Sequence, residues 1–168
     1  MTLLTIDIRK AGPRDADAIA LVHAEAWRNA YAGIIPHRAL SAMINRRGTR
    51  WWADAIRRGA SVSVVDVGGT VGGYATLGKN RARQLPQGGE IYELYLAPHC
   101  QGIGLGARLF RAARERLKRE HLSGMVVWAL EENEGAIEFY ARAGGRDVAE
   151  GVEIFDGKAL RKIAFVWS

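Results

Sequence analysis

A chain of 168 residues, 48% hydrophobic and 25% charged, has ordinary globular composition and is expected to form a single domain over residues 1–168. No apolar run approaches the ~20 residues that a membrane-spanning helix needs, and the lone cysteine, Cys100, excludes an internal disulfide and any multi-cysteine metal site. The net charge of +6 comes from dispersed lysines and arginines without the interleaved aromatics on which nucleic acid stacks, so no nucleic-acid partner, no membrane and no metal are expected, and the cytoplasm is the expected compartment.

Residues 1–9 lack the basic start and cleavage site of a signal peptide and read as strand, with Ile6-Asp7-Ile8-Arg9 alternating. Pro13-Arg14-Asp15 starts a helix whose buried stripe is Ile19, Val22, Ala26 and Ala30, and Gly33 and Pro36 break it. Helices follow over 36–44 and 50–58, the second stopped by Gly59. Strands over 61–67 and 71–77 flank a hairpin turn at Gly68-Gly69-Thr70. A polar loop, 78–89, leads to a strand over 90–96 closed by Ala97-Pro98. Then come a basic helix over 105–120, a strand over 125–130, and a helix over 135–143 ended by Gly144-Gly145. A short strand or turn over 146–151 and a strand over 163–167 finish the chain. This order predicts an α/β fold, a mixed sheet with helices on both faces.

Between the strand at 90–96 and the basic helix lies Gln101-Gly102-Ile103-Gly104-Leu105-Gly106. A Gly-rich turn that opens a helix presents unpaired backbone N–H groups at the positive end of the helix dipole, a seat for an anion and above all a diphosphate. The string is not the dinucleotide fingerprint, and no Gly-Lys-Ser/Thr makes it a P-loop.

Gln101-x-x-Gly104-x-Gly106, after the strand end Leu94-Tyr95-Leu96-Ala97-Pro98, resembles the acetyl-CoA motif of the GNAT N-acetyltransferase superfamily. A second segment, Asn133-x-x-Ala136-x-x-Phe139-Tyr140 followed by Ala143-Gly144-Gly145, resembles the downstream motif of the same family, except that Gly145 stands where the family usually has Phe. The stretch 24–33, with Trp27 and Tyr31, is similar to the start of many such proteins. The resemblance implies a mostly antiparallel central sheet with splayed central strands, and acetyl-CoA as co-substrate. It implies that Gln101, Gly102, Ile103, Gly104, Leu105 and Gly106 bind the diphosphate. The main chain of Leu94, Tyr95 and Leu96 would hold the pantetheine arm and polarise the acetyl carbonyl. Asn133 would contact that arm, and the Tyr140 hydroxyl would protonate the leaving thiolate.

The residues themselves leave alternatives. Asn133 also fits the N-cap of its helix, and Tyr140 also fits a packed ring. A general base is expected at Glu93 or Glu90, whose odd spacing on one strand sends them to opposite faces unless a bulge intervenes. Another branch of the family places a Glu five residues before the Asn; Trp128 occupies that position here. Trp27 and Tyr31, four apart on one helix face, are candidates for a wall of the acceptor pocket or for the core. Trp51 and Trp52 are expected to pack, one inside and one partly out. The expected activity is acetyl transfer to the primary amine of a small molecule in a ternary complex. The alternatives are a protein N-terminal acetyltransferase of the ribosomal-protein type, with a peptide acceptor, and a non-catalytic acyl-CoA-binding regulator. A homodimer is left open.

Overall fold

The computed structural model describes residues 4–168; the expected strand character of residues 1–3 lies outside them. Its elements are β1 (Ile6–Lys10), α1 (Ala16–Tyr31), α2 (His37–Arg46), α3 (Thr49–Arg57), β2 (Ser61–Val67), β3 (Thr70–Lys79), β4 (Gly89–Leu96), α4 (Leu105–Arg119), β5 (Met125–Leu130), α5 (Glu134–Arg142), β6 (Arg146–Phe155) and β7 (Lys158–Trp167). The strands form one seven-stranded sheet in the order β1-β2-β3-β4-β5-β7-β6. Among the described residues, β4–β5 is the one parallel pair; the others are antiparallel. Among the described residues, no helix is long and apolar enough to cross a membrane.

Side-chain bonds assign helices to faces. Ser63 on β2 accepts a bond from Arg116 of α4 at 3.2 Å, while Tyr74 on β3 bonds His23 of α1 at 2.9 Å. Tyr74 is opposite Val64, the residue after Ser63, and successive strand residues face opposite sides. So α1 and α4 cover opposite faces of the sheet. Ile19, Val22 and Ala26 are buried as the helical period predicts, with His23 and Trp27 widening the stripe; Ala30 is only half-buried. The entry to α1 is fixed by Asp15, which accepts from the Gly12 N–H at 2.8 Å and from two nitrogens of Arg9 at 2.8 and 3.0 Å.

Two features of the sheet shape the site. β4 carries one extra residue, Tyr92, between the pairs Ile91–Leu77 and Glu93–Thr76. A bulge of this kind bends its strand and resets which side chains share a face. Beside it, β4 pairs with β5 only through Gly89–Met125, Glu90–Val126 and Ile91–Val127. Beyond Ile91 the two strands splay, and the β5-facing backbone groups of residues 92–96 have no ladder partner.

The C-terminal third departs from expectation. In place of a short strand over 146–151, β6 runs ten residues to Phe155, and β7 begins at Lys158 rather than 163. A tight turn at Asp156-Gly157, with φ of +48° and +82°, joins them. Gly145, which stands where the resembled motif has Phe, has a packing reason: a Cβ there would lie 2.6 Å from Cζ2 of Trp167. The Trp167 indole fills that room, donates to the Ala143 carbonyl at 3.0 Å, and packs 5.1 Å from the Phe110 ring.

Candidate functional site

The Gly-rich turn stands where the sequence places it. Gly104 is the residue before α4, in the left-handed region at φ +84°, and nothing lies within 4 Å of where its Cβ would point. A side chain there would be strained and would fill the space in front of the free N–H groups of α4. Gln101, Gly102, Gly104 and Gly106 line a groove of about 720 Å³ that continues past Leu94, Tyr95 and Leu96 to the gap between β4 and β5. The side chain of Ile103 points to solvent and that of Leu105 into the core, and neither residue lines the groove. Asn133 and Tyr140 line the same groove from α5.

Both open readings of those two residues have a structural basis. Asn133 caps α5, its Oδ1 accepting from the Ala136 N–H at 3.3 Å. Tyr140 packs its ring among Phe139, Phe165, Phe110 and Trp167 while facing the groove. Burial raises the pKa of its hydroxyl, which therefore carries its proton at neutral pH.

A second cavity, about 430 Å³, adjoins the groove at β4. Trp27, Tyr31, Trp51, Trp52 and Trp128 supply its aromatic walls, and Arg47, Arg81, Lys162, Glu90, Glu93 and Glu153 its charges. The Tyr92 bulge brings Glu90 and Glu93 to this one cavity instead of opposite faces of the sheet. The two cavities share Tyr31, Tyr92, Glu93, Tyr95, Trp128 and Ala129, so they meet where β4 leaves β5.

Electrostatics distinguish the two carboxylates. Glu90 is buried beneath Arg81, accepting from its backbone N–H at 2.9 Å and its guanidinium at 2.9 Å. Glu93 stands at the junction, accepting from Arg47 at 2.5 Å and from the Thr76 hydroxyl at 3.1 Å. Burial raises the Glu93 pKa, and the Arg47 charge offsets this only in part. Across the junction the hydroxyls of Tyr31 and Tyr95 bond each other at 2.5 Å. Both phenols are held neutral by burial. Trp27 and Tyr31 are therefore both core and cavity wall, 8% and 7% exposed. Trp52 is fully buried and Trp51 half out. Cys100 is buried against Gly72 and lines neither cavity.

Sequence reasoning did not find Arg47, Arg81, Glu153 or Lys162 as site residues. For the last two a signal existed. Asp156-Gly157 between strands predicts a hairpin, which sets β6 against β7 and brings Glu153 and Lys162 together at 3.4 Å, with the ammonium 4.7 Å over Trp128.

A sequence model of the acetyltransferase (GNAT) family matches residues 21–145. The uncharacterized N-acetyltransferase YuaI of Bacillus subtilis is 31% identical over 96% of this chain and 92% of its own length. The L-methionine sulfoximine/L-methionine sulfone acetyltransferase of Pseudomonas aeruginosa is 29% identical over 84% of this chain and 80% of its own. Among solved structures, the PaiA N-acetyltransferase of Thermoplasma acidophilum, in complex with coenzyme A, superposes with a TM-score of 0.76 at 21% identity, covering 95% of this chain and 98% of that one. YncA of Salmonella typhimurium, a putative acetyltransferase solved with acetyl-CoA, gives 0.71 at 22% identity over 97% and 93%. The chain belongs to the GNAT acetyltransferase family and is an N-acetyltransferase.

Proposed function

We propose that this protein uses acetyl-CoA to acetylate the primary amine of a small molecule by direct transfer within a ternary complex. The observation that carries this reading is the meeting of the two cavities at Glu93 and Tyr95, at the splay of β4 from β5. One cavity begins at a helix N-terminus suited to a diphosphate; the other is a chamber of about 430 Å³, within the range of small-molecule sites. Among the described residues the shared lining holds no cysteine, serine or lysine, and burial raises the pKa of its three tyrosines, which makes them poor carriers of the acetyl group and favours direct transfer. The name of the Pseudomonas relative, an acetyltransferase of amino-acid analogues, supports a small acceptor.

In this mechanism Gly104 and the turn around it seat the diphosphate on backbone N–H groups, and Asn133 contacts the pantetheine arm. The unpaired backbone of Leu94, Tyr95 and Leu96 takes hydrogen bonds from the arm and polarises the acetyl carbonyl. Acetyl-CoA supplies the activated thioester. Glu93 accepts a proton from the acceptor ammonium, and its raised pKa makes it a better base than an ordinary carboxylate. The neutral amine forms the N–C bond as the C–S bond breaks. Tyr140 gives its hydroxyl proton to the sulfur and regains one, through water, from the acetylated nitrogen. Trp27 and Tyr31 wall the acceptor in and exclude water.

The test is an acceptor screen by free-thiol release over polyamines, amino acids, aminoglycosides and peptides. Turnover with a small amine is expected. Release only with peptides would overturn the small-molecule acceptor, and acetyl-CoA binding without release on any amine would mark a regulator.

A further inference from the structure

The acceptor chamber holds three cations, Arg47, Arg81 and Lys162, each beside an aromatic ring and a carboxylate; of the three, Arg47 lies near three indoles and is the one paired with Glu93. Arg47 follows α2, in the link to α3, and its guanidinium carbon lies 4.7 Å from the ring centre of Trp51, 5.7 Å from Trp27 and 6.0 Å from Trp52. A guanidinium is planar and weakly hydrated and packs well against aromatic rings, so the three indoles hold Arg47 in place without using its N–H donors. Among the described residues, a single side-chain bond uses those donors, from one terminal nitrogen to Glu93. The group has five N–H donors. The Arg47 side chain is 30% exposed, the Glu93 side chain 11%, and both line the chamber.

A cation held this way selects what enters. An acceptor that fills the chamber displaces water from the unused donors of Arg47. A neutral acceptor leaves them unpaired, and an unpaired buried donor on a charged group is costly. An acceptor bearing an anion pairs with them through charge-assisted bonds, the strong kind. The neighbour of that cation is Glu93, the proposed base, so the chamber presents a positive and a negative group side by side. Its complement is a molecule with an ammonium and an anion equally close together.

We propose that Arg47 binds the carboxylate of the acceptor, and that the acceptor is an α-amino acid or a close zwitterionic analogue whose amine meets Glu93 beside it. This rests on the small-amine reading above and narrows it. The substrate's two charges, one carbon apart, lie antiparallel to the Arg47–Glu93 pair. Arg47 thereby positions the nitrogen over the base and takes no part in the bond changes.

The experiment compares the twenty common L-amino acids with their α-carboxamides as acceptors of the wild-type protein, by thiol release at saturating acetyl-CoA. Each carboxamide keeps the amine and side chain and lacks the charge. For the amino acids that turn over, kcat/KM is expected to exceed that of the amide about 10- to 100-fold, the range of a charge-assisted bond. In Arg47→Met that ratio collapses toward one; in Arg47→Lys, which keeps the charge and loses the planar fork, it falls only part of the way. If Arg47→Met does not fold, the wild-type ratio and Arg47→Lys decide. Turnover of amines or amides with no preference for the carboxylate overturns the proposal and leaves the small-amine reading standing. A preference that survives in both variants removes Arg47 from recognition. No thiol release with any amine, while acetyl-CoA binds in calorimetry, brings down the underlying reading and this one with it.

Discussion

Replacing Gly104 with alanine tests the cofactor seat, because the structure supplies a matched control. Gly104 has φ +84° with nothing within 4 Å of a new Cβ, and Gly157, in the β6–β7 turn, has φ +82° with equally open space. An L-residue in the left-handed region costs about 1–2 kcal/mol. Both variants should therefore lose about 2–8 °C in Tm, at roughly 2–4 °C per kcal/mol for a domain this size. Only Gly104 fronts the N-terminus of α4, where a diphosphate would draw on the free N–H groups. If its Cβ prevents two charge-assisted bonds of about 1.5–3 kcal/mol each, the loss is about 3–6 kcal/mol, or about 140- to 20,000-fold in Kd. Titration calorimetry with coenzyme A measures this directly. Wild-type affinity is expected for Gly157→Ala and a collapse for Gly104→Ala. Equal affinities in the two variants would refute the assignment of the diphosphate to this turn.

Tyr140→Phe keeps the ring in its aromatic cluster and removes the proton; kcat should fall about 10- to 1000-fold with acetyl-CoA affinity nearly unchanged, and wild-type turnover in a chemistry-limited assay would exclude the hydroxyl. Because burial raises the Glu93 pKa, kcat/KM should fall as pH drops through a value above the ordinary carboxylate range. Glu93→Gln should slow the reaction and erase that limb, whereas Glu90→Gln should keep it; a limb that persists in Glu93→Gln belongs to the acceptor amine. His23 gives a stability prediction. It is fully buried, and burial pushes its pKa down to about 4 from 6.5. The unfolded chain therefore binds a proton that the native state refuses, and the stability present above pH 6.5 is lost as pH falls toward 4. Between pH 7 and 5 the loss amounts to about 2 kcal/mol. Urea unfolding of wild type and His23→Gln at both pH values isolates it; equal pH dependence would show that His23 does not titrate this way.

Local signals were strong where one sheet face is buried and turns carry glycine. Residues 61–67 and 125–130 are strands with the expected limits, and Gly104 is left-handed at the start of its helix. The β6–β7 hairpin was harder to see because β6 exposes most of its residues, with Asp147, Glu150 and Glu153 breaking the apolar alternation. The Tyr92 bulge has no composition of its own. It follows from how β3 and β4 pair, yet it decides that Glu90 and Glu93 share a chamber. Arg47 was one scattered arginine among many in the sequence. Its significance comes from three tryptophans on two different helices, a convergence that no local pattern announces.

The splay also has a mechanical meaning. Three rungs, Gly89–Met125 to Ile91–Val127, join the β1-β2-β3-β4 plate to the β5-β7-β6 plate, and both cavities open into the wedge beyond them. Such a join acts as a hinge line, with its axis at the closed end of the wedge and its lever arms along the free ends of β4 and β5. An extended amide-bearing chain lying between those free ends supplies the rungs that the protein omits, and so braces the two plates from inside. In the proposed ternary complex the thioester would sit on the hinge's open side, where a small rotation changes the distance between amine and carbonyl most.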